Sequence, residues 1–193
     1  MANKVKFGLK NCHYALITTS DDGEVSFGTP KRLPGAVNLS LDAEGETNTF
    51  YADDVAYYVT TGNTGYSGTL EIALIPDSFR KDILGETEDE TSHVLVENAF
   101  AEPKPFALLY EVTGDEKASR RVLYNCSVGR PGESAQTNEA SKTPQTDTMN
   151  LTATALADGK VRARTTETTP DQVFGDWYKS VWLPPEPAAT QEV

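Results

Sequence analysis

Histidine and cysteine are scarce in this chain of 193 residues, which carries two of each. Neither His13 nor His93 has a second ligand at HxxxH or CxxC spacing, the patterns that fix a metal on one element, so no metal centre is expected. Cys12 and His13 are neighbours, and neighbouring side chains on a strand point to opposite faces and cannot share an ion. Cys12 and Cys126 sit far apart in apolar, strand-like runs and are expected to be free, buried thiols. Positive charge is also short. Against 29 Asp and Glu there are 17 Lys and Arg, a net charge of −12, which argues against a large basic footprint for DNA or RNA. No apolar run is long enough to cross a bilayer, and Met1-Ala-Asn-Lys-Val-Lys-Phe7 is followed by no apolar core of a cleaved leader, so folding in a cytoplasm is expected. GxSxG, Walker A and GxGxxG signatures are all missing, and the clusters Gly62 to Gly65 and Gly129 to Gly132 precede no helix N-terminus that would cradle a phosphate. No cofactor and no catalytic residue are expected.

What is present favours pleated structure. Threonine occurs 23 times, with 14 Gly and 11 Pro, a composition of strands and turns. Val37, Leu39 and Leu41 alternate with polar residues, as do Leu70, Ile72 and Leu74, and Met149, Leu151, Ala153 and Ala155; each run predicts a half-buried strand. Strands are also expected at 5–8, 14–19, 50–52, 56–60, 93–97, 106–112, 122–127 and 161–165, several with mixed alternation. Asp21-Asp22-Gly23, Glu44-Gly45, Thr113-Gly114-Asp115 and Ala157-Asp158-Gly159 break these runs, the last as a tight hairpin turn. The class is mainly β, with antiparallel pairing.

Two short helices are expected. Asp77 to Leu84 follows Pro76, sets Phe79 and Ile83 on one face and ends at Gly85, a left-handed cap. The second starts at Thr169, with Pro170 at the first helical position and Gln172 closing a capping box, and continues through Val173, Phe174, Trp177 and Val181. Residues 129–143 hold no large apolar residue and predict a long mobile surface loop. The organisation expected is one domain over 1–182 and an extended or disordered tail over 183–193.

Paired carboxylates carry little information in so acidic a chain. Asp53-Asp54 is expected to be a solvated turn rather than a Ca2+ loop, since it lacks the regular oxygen spacing of one. Aromatics are more telling: Phe50, Tyr51, Tyr57, Tyr58 and Tyr66 cluster around Asp53-Asp54. Two readings stand for Tyr57 and Tyr58, packing on their own sheet or service in an interface. The polar flank 42–49 favours a hairpin-like extension near 44–65, tipped by Gly62-Asn63-Thr64-Gly65, because a lone two-stranded hairpin buries little against itself. Candidate inter-subunit contacts are Phe50, Tyr51, Asp53, Asp54, Tyr57 and Tyr58.

Six stretches carry a family resemblance: NKVKFGLKNCHYALIT, LPGAVNLSLDAEGE with FYADDVAYYVT, GYSGTLEIALIPDSFRKDILGE, AEPKPFALLYEV and RRVLYNCSVGRP. Together they resemble the major tail protein of long-tailed bacteriophages of Gram-positive hosts. The resemblance implies a β-sandwich or split β-barrel with a flanking helix and a long hairpin that reaches the next ring. It further implies a structural virion protein, not an enzyme, assembled in the host cytoplasm. Six copies would form rings that stack into the tail tube, with the tape-measure protein, distal tail proteins and tail terminator as partners. Double-stranded DNA would pass through the lumen without specific binding. The alternative is a β-sandwich module recognising glycans on a cell surface through Trp177 and Trp182, though their helical spacing with Phe174 suits a packed helix better.

Overall fold

The computed structural model describes residues 3–20, 23–137 and 143–185. Asp21 and Asp22 of the first expected turn, residues 138–142 of the expected loop and residues 186–193 of the expected tail lie outside them. Elements run β1 (Lys6–Thr19), β2 (Val25–Phe27), β3 (Lys31–Arg32), β4 (Ala36–Glu44), β5 (Thr47–Ala52), β6 (Val55–Thr61) and β7 (Gly65–Ile72). A one-turn helix, α1 (Asp77–Phe79), continues as a π-helical turn (Arg80–Leu84). There follow β8 (Thr87–Glu88), β9 (Leu95–Val96), β10 (Phe106–Gly114), β11 (Ser119–Val128), β12 (Asp147–Thr154), β13 (Arg162–Arg164) and α2 (Asp171–Asp176). The protein is mainly β with two short helices, as composition predicts. One antiparallel sheet runs in the order β2-β1-β10-β11-β12-β7-β4, with β3 also on β1 and β13 also on β11. Among the described residues the path stays open, so the sheet does not close into a barrel.

The central strands are buried on both faces, which explains their mixed alternation. Phe106, Leu108 and Tyr110 of β10 join Tyr14, Leu70, Met149 and the helix residues Phe79 and Ile83 in one apolar cluster. Ala107 and Leu109, pointing the other way, pack with Ala15, Val122, Tyr124, Trp177 and Val181. A strand covered on both sides has no polar face to show, so its period of two disappears from the sequence. Cys12 lies in the first cluster, whereas the ring of His13 stacks on Tyr178 at 4.4 Å beside the second, confirming their opposite faces.

Several boundaries differ from expectation. The two strands expected at 5–8 and 14–19 are one, β1, whose pairing with β10 slips between Lys10 and His13. Asn11 sits there at φ 53, a left-handed conformation that Asn tolerates and that suits a bulge. Leu74 is exposed, because β7 ends at Ile72 and the chain bends toward α1. The turn at 157–159 closes, with Leu156 N–H donating to Lys160 O at 2.9 Å, yet it joins no β12–β13 hairpin. Both strands pair with β11, β12 along Asn125–Val128 and β13 along Arg121–Leu123. The capping box of α2 is not formed either: Thr169 Oγ1 accepts from Thr166 N–H at 2.8 Å, Pro170 takes the cap position without a side-chain bond, and the helix stops at Asp176. Gly85 closes the first helix at φ 77 as expected.

Both cysteines are free and buried. Burial pushes each thiol up to about 12, and the thiolate is the reactive form. Native protein is therefore expected to resist alkylation and to take up two labels only once denatured; a disulfide-linked peptide in unreduced digests would contradict this.

Asp82 ties the first helix to the sheet. Its carboxylate accepts from Tyr14 Oη at 2.8 Å and from Lys31 Nζ at 2.6 Å. Burial alone would raise its pKa, but the hydrogen bonds from Lys31 and Tyr14 and the Lys31 charge outweigh that and hold it below the ordinary carboxylate value. A depressed folded pKa gives stability that is complete above the unfolded value, about 3.9 for Asp, and is lost as pH falls through the lower folded value. Asp82→Asn is expected to be less stable near neutrality and to show a flatter acid limb below about pH 4. Urea melts across that range check this, and parallel acid limbs for the two proteins would contradict it.

Candidate assembly surface

β4 and β7 pair from Ala36 opposite Ile72 to Glu44 opposite Gly65. Beyond that point the chain runs out as a second hairpin, β5 against β6, which pairs with no other described strand. Its root is narrow. Thr64 N–H donates to Glu44 O and Gly62 N–H to Glu46 O, both at 2.9 Å. A Cβ on Gly45 would stand 1.9 Å from Gly62 O, and Gly65, at φ 144, would place one 2.1 Å from Ala153 O. Only glycine permits so close a backbone approach.

The tip is Asp53-Asp54, at φ 51 and 60. Left-handed dihedrals at both central residues mark the type I′ turn, whose twist matches that of paired strands. This corrects the expected tip at Gly62–Gly65, which lies instead at the root. The glycines there answer a close approach of backbones, while the turn itself is left to two aspartates that tolerate positive φ.

All six candidate contacts lie on this hairpin. Phe50, Tyr51, Tyr57 and Tyr58 are between 62% and 74% exposed, which removes packing on their own sheet as an explanation. Phe50 faces Tyr58 across the ladder, Tyr51 faces Ala56, and Tyr57 is the extra residue of a bulge between them. Val55 and Val59, which the aromatic count overlooks, are more than half exposed too. Alternation puts Phe50 and Tyr58 on one face of the ribbon and Tyr51 on the other, and large exposed apolar patches in monomeric proteins mark interaction sites. The same segment is acidic: from Leu33 to Phe79 there is no Lys, Arg or His. Among the described residues Asp42, Glu46, Asp53 and Asp54 form no ion pair.

A second surface was not legible beforehand. Lys4, Val5, Lys6, Lys117, Arg121 and Arg164 line an open groove of about 550 Å³. Strand register assembles it, Lys6 lying opposite Gly114 and Arg121 opposite Arg164. Asn3 fastens its floor, accepting at Oδ1 from the Glu116 and Lys117 amides at 3.0 and 2.9 Å. The signal was the pair Lys4-x-Lys6, masked by the acidic total.

Elsewhere the titratable groups serve packing. Buried Glu111 accepts from Arg120 Nε at 3.0 Å, and that guanidinium lies 3.9 Å from the Phe174 ring centre, pinning α2 to the sheet. Burial, opposed in part by a bond to Asn11 O, lowers the pKa of His13. Trp177 is buried and stacks on Trp182 at 6.1 Å. Among the described residues no three His, Cys, Asp or Glu gather as metal ligands, and no helix is long and apolar enough to cross a membrane.

Comparison with known proteins gives this architecture a family. No curated protein matches the sequence. Among solved structures, the cryo-EM structure of the anti-feeding prophage tube-terminating cap is similar, with a TM-score of 0.46 and 12% identity over 84% of this chain and 93% of that one. A family model described as phage tail tube protein matches residues 2–161, a span that takes in β1 to β12 and the whole exposed hairpin. The chain belongs to the phage tail tube protein family and is a structural component of a phage tail.

Proposed function

We propose that the chain self-assembles into hexameric rings that stack into the tail tube of a long-tailed phage of a Gram-positive host, the conduit for genome delivery. One observation carries this reading beyond the family: the β5–β6 hairpin, aromatic on its strands and acidic at its tip, buries nothing against its own domain. Exposed ribbons with unpaired edges are natural templates for strand addition and subunit contact. In this reading Phe50, Tyr51, Asp53, Asp54, Tyr57 and Tyr58 meet a neighbouring copy within a ring or in the next one. Assembly takes place in the host cytoplasm. The tape-measure protein occupies the growing tube, and distal tail and terminator proteins bound its ends. The glycan-binding alternative loses its platform, since Trp177 is buried.

Electron microscopy of the concentrated, purified chain tests the reading. Six-fold rings or tubes are expected, and monodisperse monomers at every concentration would overturn it. The same tubes test a charge prediction. Each subunit brings a net charge of −12, and an acidic lumen lets phosphate backbones pass without sticking. A reconstruction should show predominantly acidic side chains lining the channel; a clearly basic lumen would contradict the prediction.

A further inference from the structure

We infer that the basic groove of one subunit receives the hairpin tip of a second copy of this chain. The inference rests on the reading that the hairpin makes inter-subunit contacts, and adds the surface it meets. A molecule with a net charge of −12 repels itself, so association is favoured where a local region of opposite sign meets the acidic surface. The groove is such a region, with five basic side chains against one carboxylate, Glu167, which accepts from the Asn3 amide at 3.0 Å. Among the described residues Lys4, Lys6, Arg121 and Arg164 form no ion pair, while Lys117 reaches only Asp171 at 3.7 Å. Arg121 Nε is in addition buried with no hydrogen-bond partner; the guanidinium serves the Tyr110 hydroxyl and has further donors to spare for an arriving carboxylate. The tip offers two, Asp53 and Asp54, without internal partners.

Shape and polarity agree. The groove volume, about 550 Å³, takes the turn and its flanking side chains rather than the whole ribbon. The aromatics behind the turn then rest on the groove's rim. There Val5, 51% exposed, lines the groove beside Lys4 and Lys6, while Phe7 follows Lys6 on β1 and points to the other face. The receiving side thus offers an apolar contact, Val5, among its charges, as the inserting side carries Val55 beside Asp53 and Asp54. Hairpin and groove are different surfaces of the same subunit, so the contact is heterologous. Repeated head to tail, such a contact closes into rings or winds into open helical arrays.

Charge exchange in the full-length chain tests this. Asp53→Lys with Asp54→Lys, and separately Lys6→Glu with Arg164→Glu, should each raise the critical concentration for assembly roughly tenfold or more. Uniting all four substitutions in one chain should restore much of the loss. Melting curves establish that each variant folds. A second measurement stands if a reversal unfolds the chain: Asp54→Cys protein mixed with Lys6→Cys protein should form an inter-chain disulfide, and a Lys104→Cys control should not. The native cysteines are buried and stay silent. If removing the hairpin abolishes tubes while the groove variants assemble normally and no cross-link forms, the groove assignment falls and the hairpin reading stands. If tip and groove variants all assemble like the parent, both fall. If the groove reversals cost only binding of a labelled DNA oligonucleotide, the groove is a polyanion surface and the inference is overturned.

Discussion

Replacing residues 46–61 by a short Gly-Ser turn is expected to leave a soluble, cooperatively melting subunit that forms no tubes. The strands on either side keep their register, Glu44 opposite Gly65. The cut ends are adjacent, since the backbones of Gly45 and Gly62 nearly touch at the root, so a short turn closes the gap with little entropic penalty. No residue of β5 or β6 belongs to either apolar cluster, and domain burial is therefore spared. What goes is the large aromatic surface, the kind of side chain that dominates interface energetics. Sedimentation and electron microscopy read the assembly, and calorimetry reads the fold. A variant that still polymerises normally, or that fails to fold, would show that the segment has been misassigned.

Phe79→Ala should have the opposite profile. Phe79 is fully buried, meeting Tyr14 edge-on at 5.0 Å and Phe106 at 5.4 Å. Truncating a buried Phe costs about 3–5 kcal/mol, because rigid neighbours leave a cavity. In a domain of this size that lowers Tm by roughly 10 °C. Tubes should still grow below the new melting temperature, since Phe79 touches no proposed interface. A drop smaller than about 2 °C would mean that the helix and sheet collapse freely around the gap. Together the two variants separate what folds the subunit from what joins it to others.

The sequence was most legible where one face of a strand meets solvent. Leu39 and Leu41 alternate visibly and form the half-buried face of β4, whereas Val37, expected on the same face, falls at a bulge against β7 and is exposed. Around Phe106-Ala107-Leu108-Leu109, burial on both faces erased the period, though the apolar run still announced a strand. Local signals misled where backbone outside the expected pattern supplied the reason. Thr169 carries a capping-box pattern, but its hydroxyl is engaged by the Thr166 amide. Gly62 and Gly65 have turn chemistry, but answer close approaches from Gly45 and Ala153. The hairpin was legible because its clustered aromatics follow a polar flank, 42–49, and a lone two-stranded hairpin buries little against itself. The groove was not, because Lys4, Lys6, Lys117, Arg121 and Arg164 come from three separate stretches and meet only through the register of β1, β10, β11 and β13.

A reconstruction of tubes grown from the purified full-length chain, at a resolution that shows side chains, tests the central claim most directly. The account requires Phe50, Tyr51, Tyr57 and Tyr58 to be covered by an adjacent copy, with Asp53 and Asp54 in contact with it. Tubes in which all four aromatics remain open to solvent while other surfaces hold the subunits together would contradict it.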